Sequence, residues 1–374
     1  MDDDTPPFFY VMNYASEAEG DVIDMVSGNP DWEPPEALRE GLREYADAET
    51  DQFQYPPSVG LRELREEIAK RRGVDISQVI ITNGAGEANH LAMAGGLEAV
   101  DGNEIILADP VYPYYDGRTS LLDAEKTLIP VDKDGHLNPE TVHKRASEET
   151  AVIVVNSPNN PMGVTYDGDA IEQLLGVAEE YDALLVSDEV YDHFDYSGRF
   201  TSALSFDSPN RIVTNSFSKS MAVTGWRVGY AIFPREDRPA PYNELVDSAR
   251  TRHMLTNVAI SRPAQASVLR ALRETDPSYY EAVREQMVER IDRFTSALDA
   301  AGAEYTEPEG SFYVMARFPG LPGTMENIEM LIDEAGVAGM PGEAFGDSRS
   351  DWMRFALVSP RVEEAAQRLA EFFE

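Results

Sequence analysis

From residue 79 onward, short apolar runs alternate with longer segments whose apolar residues recur at helical spacing. Strands are predicted at residues 79–82, 104–108, 127–131, 151–155, 183–187, 211–215 and 228–233. Several, such as Ala151-Val152-Ile153-Val154-Val155, are unbroken apolar runs. That pattern marks strands buried on both faces of a mainly parallel sheet. Strands and helices in alternation predict a three-layer α/β/α domain built on a seven-stranded sheet. One helix is expected over residues 35–45, with proline at its start. Another follows Leu61 and sets Leu61, Leu64 and Ile68 on one face. A longer one over residues 279–301 aligns Val283, Met287, Ile291, Phe294 and Leu298. Beyond about residue 240 the character changes: a turn leads into a strand near 308–315, a loop occupies 340–346, a strand covers 352–357, and a closing helix starts at about 360. This reads as a second, smaller α/β unit. The residues before Asp24 carry few helix signals, and no internal repeat is evident.

A chain of 374 residues can bury a large core and fill two domains. The formal charge of −37, from 68 acidic and 31 basic residues, would repel nucleic acid and anionic membranes, so neither is an expected partner. The acids are dispersed rather than gathered in a tail, and only 5 of the basic residues are lysine. Dispersed acid with scarce lysine suggests adaptation to high salt, where screening shortens the reach of self-repulsion. Cysteine is absent, so disulfides, thiol nucleophiles and Cys-type zinc sites are excluded. The five histidines show no ligand spacing, and no metal is expected. The N-terminus lacks the basic and apolar regions of a signal peptide, and no apolar run reaches membrane-spanning length, so a cytoplasmic location is expected.

Candidate chemistry gathers in the loops after the predicted strands, where open α/β sheets bind ligands. Lys219 is the one lysine after residue 144, and arginine takes nearly every other cationic position around it. A lysine kept where arginine is preferred suggests Schiff-base chemistry, which a guanidinium cannot perform. The turn Asn83-Gly84-Ala85-Gly86-Glu87 could bring backbone N–H groups to a phosphate, although a tight strand-to-helix turn needs the same glycines. Asp188 ends a buried strand and requires a cationic partner. Tyr112, in a proline-rich loop with Tyr114 and Tyr115, reads alone as a packing residue. Read alone, Tyr55 is a packing residue, Gly28 a turn residue and Arg354 a surface ion-pair residue.

These segments resemble, in order, the motifs of the class I/II aminotransferases, pyridoxal-phosphate enzymes of fold type I. The resemblance runs from about residue 24 to the C-terminus. It rests on Ser216-x-x-Lys219 with Arg227 in Gly225-Trp226-Arg227-x-Gly229-Tyr230, on Asn156-x-Pro158-x-Asn160-Pro161-Met162-Gly163, and on Asp188-Glu189-x-Tyr191. The Gly28-Asn29-Pro30-Asp31 turn, the glycine turn after residue 82, and Tyr55 with its downstream Gly60 and Leu64-Arg65 also match. Met162 departs from the family's usual threonine. The resemblance implies an aspartate-aminotransferase-like fold, with a large domain over 37–260 and a small domain built from 1–36 and 261–374. It implies that Lys219 binds pyridoxal 5'-phosphate as a Schiff base and moves the substrate's α-proton. Gly84, Ala85, Gly86, Ser216 and Arg227 would hold the phosphate and Ser218 would contact the cofactor, with Tyr55 reaching across a homodimer interface to the neighbouring cofactor. Tyr112 would stack on the ring, Asp188 would pair with its nitrogen, and Asn160 and Tyr191 would donate to its phenolic oxygen. Gly28, Asn160 and Arg354 would meet the substrate, Arg354 forking onto the α-carboxylate. The implied reaction moves an amino group between an L-amino acid and a 2-oxo acid. A lyase or decarboxylase on the same scaffold and a cofactor-binding regulator are the rival readings. Side-chain specificity is not legible; Ser311, Phe312 and Tyr14 are pocket candidates only.

Overall fold

A computed structural model describes residues 6–373; residues 1–5 and 374, part of the expected small domain, lie outside the described residues. Seven strands form the main sheet: β2 (Val79–Asn83), β3 (Glu104–Asp109), β4 (Glu125–Pro130), β5 (Thr150–Asn156), β6 (Leu184–Asp188), β7 (Arg211–Ser216) and β8 (Val228–Ile232). Their order is β2-β8-β7-β6-β5-β3-β4. All neighbours are parallel except β8, which runs against both β2 and β7. Every residue of β5, β6, β7 and β8 is buried, as expected of strands covered on both faces, the polar residues at their carboxyl ends included. The register aligns Asn156 with Asp188 and Asp188 with Thr214, so three polar residues share one row at the carboxyl ends of adjacent strands.

Helices α2 (Glu36–Ala46) and α3 (Arg62–Arg72) cover one face, and α4 (Gly84–Ala99) crosses the other. Helix α5 (Pro113–Leu121) leads from β3 towards β4. The helix Arg262–Glu274 follows the expected boundary at residue 260, yet Ala264, Val268 and Ala271 lie in the core beneath the large sheet. Packing therefore groups it with the large unit. A strand β1 (Ile23–Asp24) pairs in parallel with β11 (Val337–Ala338). The strands β9 (Glu304–Tyr305), β10 (Tyr313–Arg317), β12 (Met340–Pro341) and β13 (Met353–Ala356) form a four-stranded sheet ordered β12-β13-β10-β9. The long helix Pro277–Ala300 packs Val283, Met287, Ile291, Phe294 and Leu298 onto this smaller unit, on the face that its periodicity predicts.

Sequence and structure differ at the N-terminus. Helix α1 (Pro7–Glu17) occupies a stretch in which no helix is expected. Proline at its first position presets φ and loses no intrahelical bond, so Pro6-Pro7 opens the helix instead of forbidding it. Only Val11 is fully buried, while Phe8, Tyr10, Met12 and Tyr14 rest on the smaller unit. No helix among the described residues is long and apolar enough to cross a membrane.

Candidate active site

A cavity of about 580 Å³ opens at the carboxyl ends of the parallel strands, between the two units. Lys219 enters it from the single-turn helix Phe217–Ser220 that follows β7. Its Nζ donates to the Gly28 carbonyl at 2.5 Å and lies 5.7 Å from the centre of the Phe312 ring. Burial, reinforced by the Arg354 and Arg227 guanidiniums, lowers its pKa to about 8. Gly28 fits because it lacks a side chain: a Cβ there would stand 2.0 Å from Tyr313 Oη and 3.6 Å from Lys219 Nζ.

Opposite, Asp188 Oδ2 accepts from Asn89 Nδ2 at 2.6 Å and Tyr115 Oη at 2.5 Å, and Oδ1 accepts from the Val190 N–H at 3.1 Å. Thr214 Oγ1 donates to Asn89 Oδ1 at 2.6 Å, which turns the Asn89 amide so that its NH₂ faces the carboxylate. Burial pushes the Asp188 carboxyl above its usual range, against these hydrogen bonds. The cationic partner that its position calls for is not a side chain among the described residues; Arg118 acts on it only as a more distant charge. Asn89 and Tyr115 are site residues that sequence reasoning missed. Three tyrosines in one loop were a visible signal, but the choice between them was not.

Arg354 projects from β13 and is 4% exposed. Its Nη2 donates to the Val26 carbonyl at 2.6 Å and its Nη1 to Asn160 Oδ1 at 3.2 Å, while Nε has no partner. Tyr313 and Phe345 both pack on the guanidinium, with its Cζ 4.6 and 5.0 Å from their ring centres. The surface ion-pair reading of Arg354 is thereby corrected. Tyr191 donates to Tyr313 Oη at 3.3 Å, which brings Tyr313, also missed in the sequence, beside the expected phenol. Tyr112 stands at the start of α5, edge-on to Tyr114 and Tyr115 at 5.0 and 5.8 Å.

At the other end of the cavity, Ala85 and Gly86 form the first turn of α4, with Ser216, Ser218 and Arg227 across from them. Ser216 Oγ and Ser218 Oγ are buried without a hydrogen-bond partner, an arrangement that calls for a polar ligand. Arg227 is held at φ 58° and donates to the Thr224 and Asn83 carbonyls at 2.8 and 3.3 Å. Gly84 is off the cavity wall, but a Cβ there would lie 2.3 Å from Arg227 Nη2. The glycine thus makes room for the guanidinium. Orphaned hydroxyls, a guanidinium and a helix N-terminus around a small cradle fit a phosphate.

Two pocket candidates do not line the cavity, and Tyr55, expected to serve a neighbouring subunit, does not line that of its own chain. Tyr55 is 85% exposed and stands outside the cavity wall. Ser311 is buried against the Asn159 carbonyl, and Tyr14 turns away to Asp333. In their place, Pro6, Pro7, Phe8 and Phe9 of the N-terminal helix region line the cavity mouth.

The family model for aminotransferase class I and II matches residues 20–372. An aspartate aminotransferase from Thermotoga maritima is 34% identical, the match covering 94% of this chain and 91% of the relative. One from Pyrococcus horikoshii is 31% identical over 96% and 92% of the two chains. The fold superposes on Thermus thermophilus aspartate aminotransferase with maleate at a TM-score of 0.89, with 28% identity over 98% of this chain and 97% of that one. The chain belongs to the class I and II aminotransferases, enzymes that use pyridoxal phosphate to move an amino group between an amino acid and a 2-oxo acid.

Proposed function

We propose that Lys219 and Arg354 divide the work of transamination, the first moving the proton and the second holding the amino acid. The observation that carries this reading is that two buried cations without carboxylate partners face one cavity opposite Asp188. Ser216, Ser218, Arg227 and the Gly84-Ala85-Gly86 turn would hold the cofactor's phosphate, Tyr112 would stack on its ring, and Asn160 and Tyr191 would donate to its phenolic oxygen. Asp188, kept in place by Asn89 and Tyr115, would hold the ring nitrogen protonated. Bound pyridoxal phosphate supplies an electron sink for the pair left at the substrate's α-carbon. Arg354, fixed by Val26 and Asn160, orients the α-carboxylate, and Gly28 lets the substrate approach Lys219. With its pKa lowered to about 8, Lys219 Nζ is partly neutral at neutral pH and could take the α-proton and pass it to the cofactor's C4′.

The exposed Tyr55, Phe53, Met254, Leu255 and Val258 support a homodimer in which the partner's Tyr55 completes the phosphate cradle. His253 Nε2, bonded to the Ser58 carbonyl at 2.7 Å, ties the two exposed segments together. We read the chain as two domains, divided after the helix Arg262–Glu274, in a cytoplasmic enzyme adapted to high salt. The names of the relatives make an acidic amino acid the first donor to try. Given a donor and no acceptor, the holoenzyme should release one equivalent of 2-oxo acid per site and stop. Continued turnover, or CO₂ release, would indicate a lyase or decarboxylase instead.

A further inference from the structure

Among the described residues, the cavity wall carries four cations, Arg118, Lys219, Arg227 and Arg354, against a single carboxylate, Asp188. Three of the four have a task in the reading above, on which this inference rests; Arg118 has none. It projects from α5, where its Nη1 donates to the Tyr114 carbonyl at 3.0 Å and its Cζ lies 5.9 Å over the Tyr114 ring. These contacts fix the guanidinium but do not neutralise it. The acid closest in sequence, Asp116, is taken by Lys126 at 2.6 Å, and Arg118 enters no ion pair among the described residues. In a chain with 68 acidic residues, a guanidinium at the pocket wall without an acid is conspicuous.

The absence of a side chain at Gly86 opens the approach. A Cβ on Gly86 would stand 3.1 Å from Arg118 Nη2 and 3.9 Å from Arg227 Nη2, so the two guanidiniums bracket one point at the head of α4. The unpartnered hydroxyls of Ser216 and Ser218 lie on the same wall.

We propose that Arg118 receives an oxyanion of the bound ligands, a second guanidinium beside Arg227 at the head of α4. Two groups carry that chemistry: the side-chain carboxylate of a dicarboxylic amino acid, and the cofactor's own phosphate. The first makes Arg118 the residue that selects acidic substrates; the second makes it part of the cofactor's grip.

Arg118→Gln, with Arg118→Lys as the conservative companion, separates the two sources. Steady-state kinetics of the holoenzyme with L-aspartate, L-glutamate, L-alanine and L-phenylalanine form one arm. Retention of pyridoxal phosphate on dialysis, with inorganic phosphate as competitor, forms the other. If the oxyanion is the substrate's, kcat/KM for the two acidic donors falls roughly ten- to a hundredfold, chiefly through KM, while the uncharged donors change little. If it is the phosphate, the cofactor's Kd rises by a similar factor and all donors recover at saturating cofactor. In either case Arg118→Lys restores part of the loss. Unchanged values in both arms overturn the proposal. So does an equal loss for every donor with the cofactor still held, which would mark Arg118 as a packing residue of α5. A wild-type enzyme that fails the one-equivalent test overturns the transaminase reading itself, whatever Arg118 does.

Discussion

On the surface, arginines and carboxylates satisfy one another. Arg361 and Arg368 share Asp21 and Glu364, and Arg270 takes Glu40, Glu44 and Glu274. In the pocket the balance inverts: four cations face Asp188, and none of the four is paired with an acid among the described residues. Exposed pairs contribute only about 0–1 kcal/mol each, so the surface network mainly balances charge locally. Of the four, Lys219 and Arg354 are deeply buried while Arg118 and Arg227 keep some exposure; a buried cation without an acid is costly, and a bound anion offsets that cost. The two regions therefore differ in where their counterions come from: the surface supplies its own, and the pocket obtains them from its ligands.

The largest effect should follow from removing the reactive cation. Lys219→Ala is expected to lower turnover by more than about 10⁴-fold. Borohydride reduction followed by peptide mapping tests the assignment, and cofactor found on another lysine would sink it. The same residue offers a pH test. Because burial and the two guanidiniums lower its pKa from 10.5 to about 8, the neutral amine grows in as pH rises through 8. Capture of pyridoxal phosphate by the apoenzyme should therefore accelerate with a midpoint near 8, and a midpoint near 10.5 would contradict the desolvated pocket. Next in size is the lone acid. Asp188→Asn should leave the cofactor attached yet slow α-proton removal roughly 10²–10³-fold, measured by α-deuterium exchange; a wild-type exchange rate would remove the role given to Asp188.

A smaller effect tests whether the pocket ends at the chain's own boundary. Tyr55→Phe should weaken cofactor retention severalfold, and Arg354→Ala should raise KM for the amino donor. If Tyr55 serves its neighbour, mixed subunits pair one site carrying both lesions with one carrying neither, and activity rises above both parents. Activity that only averages the parents, with subunit exchange verified by mass, would return Tyr55 to its own chain. Smallest is the surface effect. Raising KCl from 0.1 to 1 M shortens the screening length from about 10 to 3 Å, so the melting temperature should climb by several degrees; a flat profile would end the high-salt reading.

Legibility in the sequence followed the physical range of each signal. The strands were visible because burial on both faces leaves continuous apolar runs, as in Ile80-Ile81 and Leu184-Leu185-Val186. Lys219, Asp188, Asn160 and Arg227 were visible because each ends a strand or sits in a short loop of distinctive composition. Asn89 and Tyr115 reach Asp188 across 99 and 73 residues of sequence; nothing local marks Asn89, and nothing local picks Tyr115 out of its loop of three tyrosines. Arg118 looks like any solvated helix residue until the space above Gly86 is known. The helix Pro7–Glu17 was hidden by the two prolines that start it.

The pairing of Ile23 with Val337 also bears on how the protein is made. Residues 23 and 337 leave the ribosome 314 positions apart, so at about 5–20 residues per second the first strand waits roughly 15–60 seconds for its partner. Over that interval the main sheet can already have closed around β2 to β8, while the leading segment that later carries the Val26 carbonyl to Arg354 stays unpaired. Synthesis thus yields a cofactor cradle before it yields a substrate clamp. Stalled nascent chains ending between residues 275 and 330 should accordingly capture pyridoxal phosphate while protease still cuts within residues 6–25, and protection of those residues should arrive only with the last strand.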